Sequence, residues 1–458
     1  VVGMSFPRHE KYKDSGVEWL GEVPEGWKIC RLQDLSSGQK YSFVDGPFGS
    51  DLKNNEYTES GVPLIQLNNI EVGRHIFNED RFVSEEKANS LGKHNAFPMD
   101  IVIAKMADPV ARAACVSDKY SRYVIVADCI KLSVDTSTVN TSYLVYTINA
   151  PYFRINAEGV SSGITRLRVN LGSVKKLQVA FPPLPEQRTI AAFLDHETGK
   201  IDALVAEQEK LIGLLKEKRQ AVISHAVTKG LDPNARMKDS GVEWLGEVPE
   251  GWEVLRFQRC VFVAEGQVDP KQEPYSQMPL IAPNHIESAS GRLLLLETAE
   301  DQGAESGKYL CKEGDVVYSK IRPALRKVCI APENALCSAD MYPLQGHSGL
   351  SNPFLLWIIL SEFFSALAVL ESERVAMPKI NRESLKAVVF ALPPLSEQCA
   401  IAAFLDHETG KIDALIEEAQ KAIELMKERR TALISAAVTG KIDVRGYEAA
   451  RTEAQEAV

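Results

Sequence analysis

At 458 residues with a formal net charge of -10, the chain is too long for one comfortable core and too acidic for a uniformly basic nucleic-acid binder. Its 45% hydrophobic and 25% charged residues are ordinary globular composition, and no uncharged apolar run approaches the roughly 18 residues a membrane helix needs, since Glu362 interrupts Phe354 to Leu370. The first residues lead into Arg8, His9, Glu10 and Lys11 without the apolar core of a signal peptide, so a cytoplasmic chain with no membrane partner is expected. The eight cysteines (Cys30, Cys115, Cys129, Cys260, Cys311, Cys329, Cys337 and Cys399) form no Cys-x-x-Cys pair, and free buried thiols are expected.

In chain order, the first landmark is Lys13 to Trp27, Lys-Asp-Ser-Gly-Val-Glu-Trp-Leu-Gly-Glu-Val-Pro-Glu-Gly-Trp, which returns unchanged at Lys238 to Trp252. The second is Phe193 to Leu204, which returns unchanged at Phe404 to Leu415. The chain is an internal duplication. The tryptophan blocks lie 225 residues apart and the helical blocks 211, so the first segment between them is 14 residues longer than the second. The expected divisions are 1–183 for the first tryptophan block and variable domain, 184–236 for a central helix, 237–394 for the second block and domain, 395–443 for a C-terminal helix, and 444–458 for a flexible tail.

The variable segments read as mixed α/β domains. Strands are expected at Val62–Leu67, Asp100–Ala104 and Tyr123–Val126 in the first, and at Pro279–Ala282, Asp315–Ser319 and Lys327–Ile330 in the second. They share a frame: Pro63-Leu-Ile with Asn68-Asn-Ile-Glu71 parallels Pro279-Leu-Ile with Asn284-His-Ile-Glu287, and Asp100-Ile-Val-Ile-Ala-Lys105 parallels Asp315-Val-Val-Tyr-Ser-Lys320. Residues 28–181 hold 18 Lys and Arg against 16 Asp and Glu, and residues 253–392 hold 14 against 17. The acidity therefore belongs mainly to the repeated scaffold, and a local basic face on either domain is compatible with it.

Each domain ends in a proline-rich stop, Phe181-Pro-Pro-Leu-Pro-Glu-Gln187 or Leu392-Pro-Pro-Leu-Ser-Glu-Gln398, followed by a helical run closing near Gly230 or Gly440. In the first run Ile201, Leu204, Leu211, Leu215 and Val222 fall on a heptad spacing, with Gln208 and Lys218 on the same seam. In the second, Ile412, Leu415, Ala419, Ala422, Met426 and Leu433 hold it, with Arg429 as the exception. So narrow a stripe wants one partner helix, and pairing the two helices antiparallel within the chain is the simplest closure, the alternative being that each packs on its own domain. Gln187 to Lys229 would span at most about 65 Å at ~1.5 Å per residue, with Gly199 and Gly410 as the points where either run could break.

A proline stop with Glu-Gln and a long helix, twice, each after a variable domain such as the one carrying Gly314-Asp-Val-Val-Tyr-Ser-Lys-Ile-Arg322, resembles the specificity (HsdS) subunit of type I restriction–modification enzymes. The resemblance spans nearly the whole chain. It implies an α+β fold of two mixed α/β target-recognition domains alternating with two long helices in an antiparallel coiled coil, with a pseudo-two-fold internal repeat. It also implies a non-catalytic subunit that binds double-stranded DNA, each domain reading half of a bipartite asymmetric site. The helices would set the spacing and dock two methyltransferase (HsdM) subunits, with restriction/translocase (HsdR) subunits outside.

Base-edge readout favours Arg, Lys, Asn and Gln on exposed loops, with other cations on phosphates. The basic turns after the aligned strands nominate Lys105, Arg112, Lys320, Arg322, Arg326 and Lys327, the alternative being a solvated hairpin tip. Ser161 to Asn170, matching Arg374 to Asn381, adds Arg166, Arg168, Lys379 and Asn381. Asn68, Asn69, Asn284 and neighbouring His285 are candidates that turn chemistry explains equally well. Lys53, in Gly46-Pro-Phe-Gly-Ser-Asp-Leu-Lys53, could reach phosphate in the first domain alone.

Four tryptophans, Trp19, Trp27, Trp244 and Trp252, lie in the repeated block, where core packing is favoured over base stacking. Asp195-His196-Glu197 and its copy at Asp406 do not suit a metal, because consecutive helical residues point about 100° apart and lysine stands where His-Glu-x-x-His needs its second histidine. With no glycine-rich nucleotide loop and no Asn/Asp-Pro-Pro-aromatic motif, neither cofactor nor catalysis is expected. A protein-only coiled-coil scaffold and a self-contained DNA enzyme are the competing readings. The first leaves the paired basic turns unexplained and the second lacks catalytic motifs.

Overall fold

The computed structural model describes residues 6–48, 51–77, 81–106, 109–163, 167–372 and 378–447. The chain divides into two compact units, residues 1–207 with 422–458, and residues 208–421. Each contains one tryptophan block, one variable domain and parts of both long helices, so the second unit is continuous in sequence and the first is not.

In the first unit the tryptophan block folds as a hairpin of Tyr12–Asp14 with Glu22–Pro24, and Lys28–Arg31 pairs antiparallel with Gln178–Phe181 to close the base of the variable domain. That domain holds two four-stranded sheets. One runs Phe82–Val83, Val62–Ile65, Tyr123–Ile125, Asn95–Ala96, and the other Phe43–Asp45, Cys129–Leu132, Ile101–Ala104, Ala113–Cys115. The second unit repeats the plan. Met237–Asp239 pairs with Glu247–Pro249 and Glu253–Arg256 with Val389–Leu392. A four-stranded sheet runs Val261–Val263, Met341–Gly346, Val316–Ser319, Val328–Ile330, beside a five-stranded one that includes Pro279–Ile281. Even the parallel pairs correspond, Val124 with Leu64 and Leu336 with Leu280. All six expected strands are present, each shortened by a residue or two.

Both long helices are continuous, Leu184–Lys229 and Leu395–Val438. Neither breaks at Gly199 or Gly410; a Cβ at either would meet nothing within 4 Å, so both are solvent-facing positions whose cost falls on propensity alone. The helices pack together antiparallel. In the first unit Arg430 Nε donates to Asp202 Oδ1 at 2.8 Å, and in the second Arg219 Nε donates to Asp413 Oδ1 at 2.8 Å. These are the same pair of repeat positions with the helices exchanged.

The seam corrects the expected register. Ile201, Gln208, Leu215 and Val222 lie along it, but its alternate positions are Val205, Ile212 and Arg219, while Leu204 and Leu211 are exposed. The second helix likewise uses Ile416, Ile423 and Arg430 in place of Leu415, Ala422 and Arg429. Shifting every second position by one residue moves those side chains about 100° around the helix and the centre of the stripe by about half that, and an arginine is admitted to it because a carboxylate meets it there.

Both ends of each helix are anchored by the repeated motifs. Gln187, fully buried, donates through Nε2 to the carbonyls of Pro182 at 2.8 Å and Thr138 at 3.1 Å and accepts from the Asn140 amide at 2.8 Å. Gln398 repeats this with Pro393, Gly349 and Ser351 at 2.9, 2.6 and 2.9 Å. The preceding Glu186 accepts from Trp27 Nε1 at 3.1 Å, and Glu397 from Trp252 Nε1 at 2.9 Å. Trp27 and Trp252 are therefore core residues with a satisfied indole, whereas Trp19 and Trp244 stack on Tyr152 and Phe363 at the surface. Each block also receives the end of the helix from the opposite repeat: Ile434, Ala437 and Val438 pack with Trp27, and Ile223, Ala226 and Val227 with Trp252. Gly440 and Gly230 end these helices at φ of 70° and 75° against Trp27 and Trp252, where a Cβ would lie 3.3 and 3.2 Å from the indole.

Among the described residues no single helix is long and apolar enough to cross a membrane; the apolar run around Glu362 is two helices, Asn352–Leu360 and Glu362–Ser372, bent by 64°. All eight cysteines are free thiols, five of them buried, and burial pushes Cys129 and Cys329 up to about 12, which keeps them protonated and unreactive at neutral pH. Replacing Gln187 or Gln398 with Met keeps the bulk but strands three backbone groups inside the protein. Each variant should lose roughly 3 kcal/mol in the urea unfolding of its own unit, with the other unit's transition unchanged.

Candidate nucleic-acid interface

In each variable domain the fold brings together three segments that are far apart in sequence. One is the asparagine turn, Leu67–Asn69 or Pro283–His285. The second is the basic hairpin turn after Ile101–Ala104 or Val316–Ser319, and the third is the loop before the short helix Leu171–Lys176 or Arg382–Ala387. The second and third join through an equivalent backbone bond in both domains, Val169 N to Lys105 O at 2.9 Å and Ile380 N to Lys320 O at 2.9 Å. They are extended by the bridges Met106 with Arg168 and Ile321 with Lys379.

The first and second segments are held by cations turned inward, buried in the first domain and partly buried in the second. Arg112, 8% exposed, donates through Nη2 to Leu67 O at 2.7 Å and through Nε to Ile70 O at 2.5 Å. Lys327 takes the same role with Nζ on Pro283 O at 2.6 Å. Lys105 is buried and ion-paired, its Nζ 3.0 Å from Asp45 Oδ1. Lys320 Nζ donates to Ala339 O at 2.6 Å and lies over the Tyr342 ring. Arg326 is half-buried with Nη1 on Gln220 Oε1, and desolvation lowers its pKa against the raising influence of Glu362. Asn69 is buried with Oδ1 accepting from Gln66 N at 2.9 Å, and buried His285 places Nδ1 near Leu280 O and Ala282 N. These polar heads engage the protein and build the edge from within.

Other candidates face outward. Asn68 and Asn284 occupy the exposed position of their turns, and Lys53 begins a short turn with its amide on Glu56 Oε2 and its side chain exposed. Arg322 is exposed, and it and Arg326 bracket Pro323–Leu325 in left-handed conformations with φ of 48° and 47°. Non-glycine residues adopt that region at a cost. Lys379 is exposed beside them. Arg168 is half-exposed, its Nη2 2.8 Å from Asp128 Oδ1. Asn381 caps the helix Arg382–Ala387, its Oδ1 accepting from Ser384 N at 2.8 Å, as Asn170 does with Ser173. Arg166 lies outside the described residues, as do residues 49–50 of the Gly46–Lys53 stretch.

Sequence reasoning missed the acids Asp45 and Asp128, which neutralise two of its nominated cations. A weak signal was available, because Asp128 sits in the Ala-Asp pair that recurs at Ala339-Asp340. Asp195, set aside as a metal ligand, accepts from Tyr146 Oη at 2.8 Å, and Glu197 pairs with Lys200 at 2.8 Å.

A family profile described as the type I restriction modification DNA specificity domain matches residues 24–211 and again 249–425. The EcoDI specificity subunit of Escherichia coli is 28% identical over 324 residues, covering 68% of this chain and 72% of that protein. The MjaVIII specificity subunit of Methanocaldococcus jannaschii is 23% identical over 467 residues, covering 97% and 99%. Among solved structures, the HsdS subunit of Thermoanaerobacter tengcongensis shares the fold with a TM-score of 0.51 at 16% identity, covering 92% of this chain and 98% of that one. A chain from a structure on assembly of the type I R-M system superposes with a TM-score of 0.68, covering 91% and 98% at 16% identity. With both halves matched by the same profile, the chain belongs to the HsdS family of type I restriction–modification specificity subunits.

Proposed function

We propose that each variable domain reads one half of a bipartite, asymmetric DNA site, while the paired helices set the spacing and dock two methyltransferase subunits, to which restriction/translocase subunits add. The observation that carries this reading is that one scaffold presents two different edges. The same three segments meet in both domains, the second and third through the same backbone bond, yet Arg168 on one edge is matched by Lys379 on the other, Asn69 in one asparagine turn is matched by His285 in the other, and Arg322 projects from the second. A symmetric dimer would repeat its side chains and favour a palindrome, whereas a divergent pair on one chain favours an asymmetric target. The buried cations Lys105 and Arg112 and the partly buried Lys320, Arg326 and Lys327 act in this reading as framework for the turns, and the exposed residues, with Lys53 and Asn381 at the margins, make the DNA contacts.

Docking of two identical partners is supported by matched apolar positions on the helices. The first unit exposes Leu204 and Leu425, and the second exposes Leu415 and Leu214, which are the same repeat positions. Leucines that lie off the seam and about half open to solvent in both units suit two copies of one helical partner.

Co-expression with the cognate methyltransferase subunit, followed by genome-wide mapping of adenine methylation, tests the whole reading. A split asymmetric motif that requires both chains is expected, and a stable complex that methylates nothing would overturn DNA reading. Asn68→Ala should relax the motif in one half only and Arg322→Ala in the other, each by about 1–3 kcal/mol of discrimination at the affected base. Equal loss over all sequences would instead assign that side chain to phosphate. Leu204→Asp with Leu415→Asp should abolish methyltransferase binding in sedimentation analysis while leaving the monomer folded by circular dichroism.

A further inference from the structure

Among the described residues, the second unit contains a tie that the first lacks. Arg219, 7% exposed, binds Asp413 with Nε and Nη2 at 2.8 and 3.2 Å, and also reaches out of the helix pair. Its Nη1 donates to Ala289 O at 2.8 Å and its Nη2 to Ser290 O at 3.1 Å. These carbonyls belong to the loop that follows the asparagine turn, closed by the bridge between Ile286 and Leu293. The connection runs on into the recognition edge, because Ala289 N donates to Arg326 O at 3.3 Å and Arg326 Nη1 returns to Gln220, the residue after Arg219. Next to it, Lys327 holds the asparagine turn through Pro283 O.

The first unit keeps the ion pair but not the tie. Arg430, at the repeat position of Arg219, binds Asp202 at 2.8 and 3.3 Å, and no bond from it to the variable domain is found among the described residues. Two sequence differences account for this. The loop between the bridged residues Ile70 and His75 is Glu71-Val-Gly-Arg74, whereas that between Ile286 and Leu293 is Glu287-Ser-Ala-Ser-Gly-Arg292, so the additional residues fall where Arg219 finds its carbonyls. Ala111, left-handed at φ 60°, stands where the second domain has Arg326, and Thr431 stands where the helix has Gln220. The ion pair belongs to the repeated scaffold, and the second domain has grown a loop onto it.

We infer that Arg219 is a positioning residue that fixes the recognition edge of the second domain to the spacer helices, so that the second half-site is read at a defined distance and angle from them. This rests on the bipartite reading above. A guanidinium suits the task because its planar fork serves a carboxylate and two carbonyls at once, which a lysine ammonium at the same place cannot do. The first half-site, whose domain lacks this bond, is read with more play in spacing.

The test uses the full chain in complex with its cognate methyltransferase subunit, binding duplexes that carry the split site with the native spacer or with one base pair added or removed. Arg219→Lys, which keeps a charge opposite Asp413, should reduce discrimination against altered spacers and against mismatches in the second half-site by roughly tenfold, with the first half-site unaffected. Deleting Ala289 and Ser290 should give the same result without touching the ion pair, and Arg430→Lys should leave spacing discrimination unchanged. Hydrogen exchange at Glu287–Arg292 should quicken in Arg219→Lys. If both Arg219→Lys and the deletion discriminate as the parent complex does, the positioning role is wrong while bipartite reading stands. Equal losses of thermal stability in Arg219→Lys and Arg430→Lys, without a change in spacing discrimination, would mark a purely structural pair and also overturn it. A parent complex indifferent to the second half-site overturns both readings.

Discussion

The fold depends on one buried amide in each half. Gln187 and Gln398 sit at the first turn of a long helix, where amides lack intrahelical partners and a preceding proline has none to offer. Each glutamine ties the carbonyl before the helix to a loop of the variable domain, and the adjacent glutamate holds the indole of the tryptophan block. Three parts of each unit are thereby fixed at one point: the helix direction, the base of the variable domain and the block that receives the opposite helix end. The variable domain can change its outer surface freely so long as that base is kept.

Much of this was legible in the sequence, for physical reasons that differ from element to element. The duplicated blocks identified themselves by repetition, and the apolar strand runs such as Ile101–Ala104 had one plausible reading because they are buried on both faces. The helix seam was misread by one residue at every second position. Leucine weighs more than valine in any count of apolar residues, so Leu204 drew the seam away from Val205, and nothing in the local sequence announced that Arg219 would be buried against a carboxylate 194 residues away. The interface suffered from the same limitation. Pattern located turns that the fold brings together at one edge, but whether a lysine reaches solvent or a carbonyl depends on neighbours such as Asp45 that sequence spacing does not bring near.

The two units also show how one scaffold supports divergence. The Arg–Asp pair recurs between the helices in both, yet among the described residues only the second unit's arginine extends to the variable domain. A repeated contact can thus acquire a local task through a short loop insertion, without any change in the pair itself. Side chains at the exposed edges vary while the backbone bond that joins the two edge segments recurs in both domains, and this separates what is held fixed from what is free to change.

The exchange of helix ends has a consequence for biosynthesis. The second unit is one unbroken stretch and can close as soon as residue 421 has cleared the ribosome, whereas the first must wait for residues beyond Ala422. Until then the pocket around Trp27 lacks Ile434, Ala437 and Val438, and an apolar surface made early in translation stays open while roughly half the chain is still being synthesised. The N-terminal half therefore matures last, and a truncated product would carry a finished second unit beside an unsealed, aggregation-prone first one.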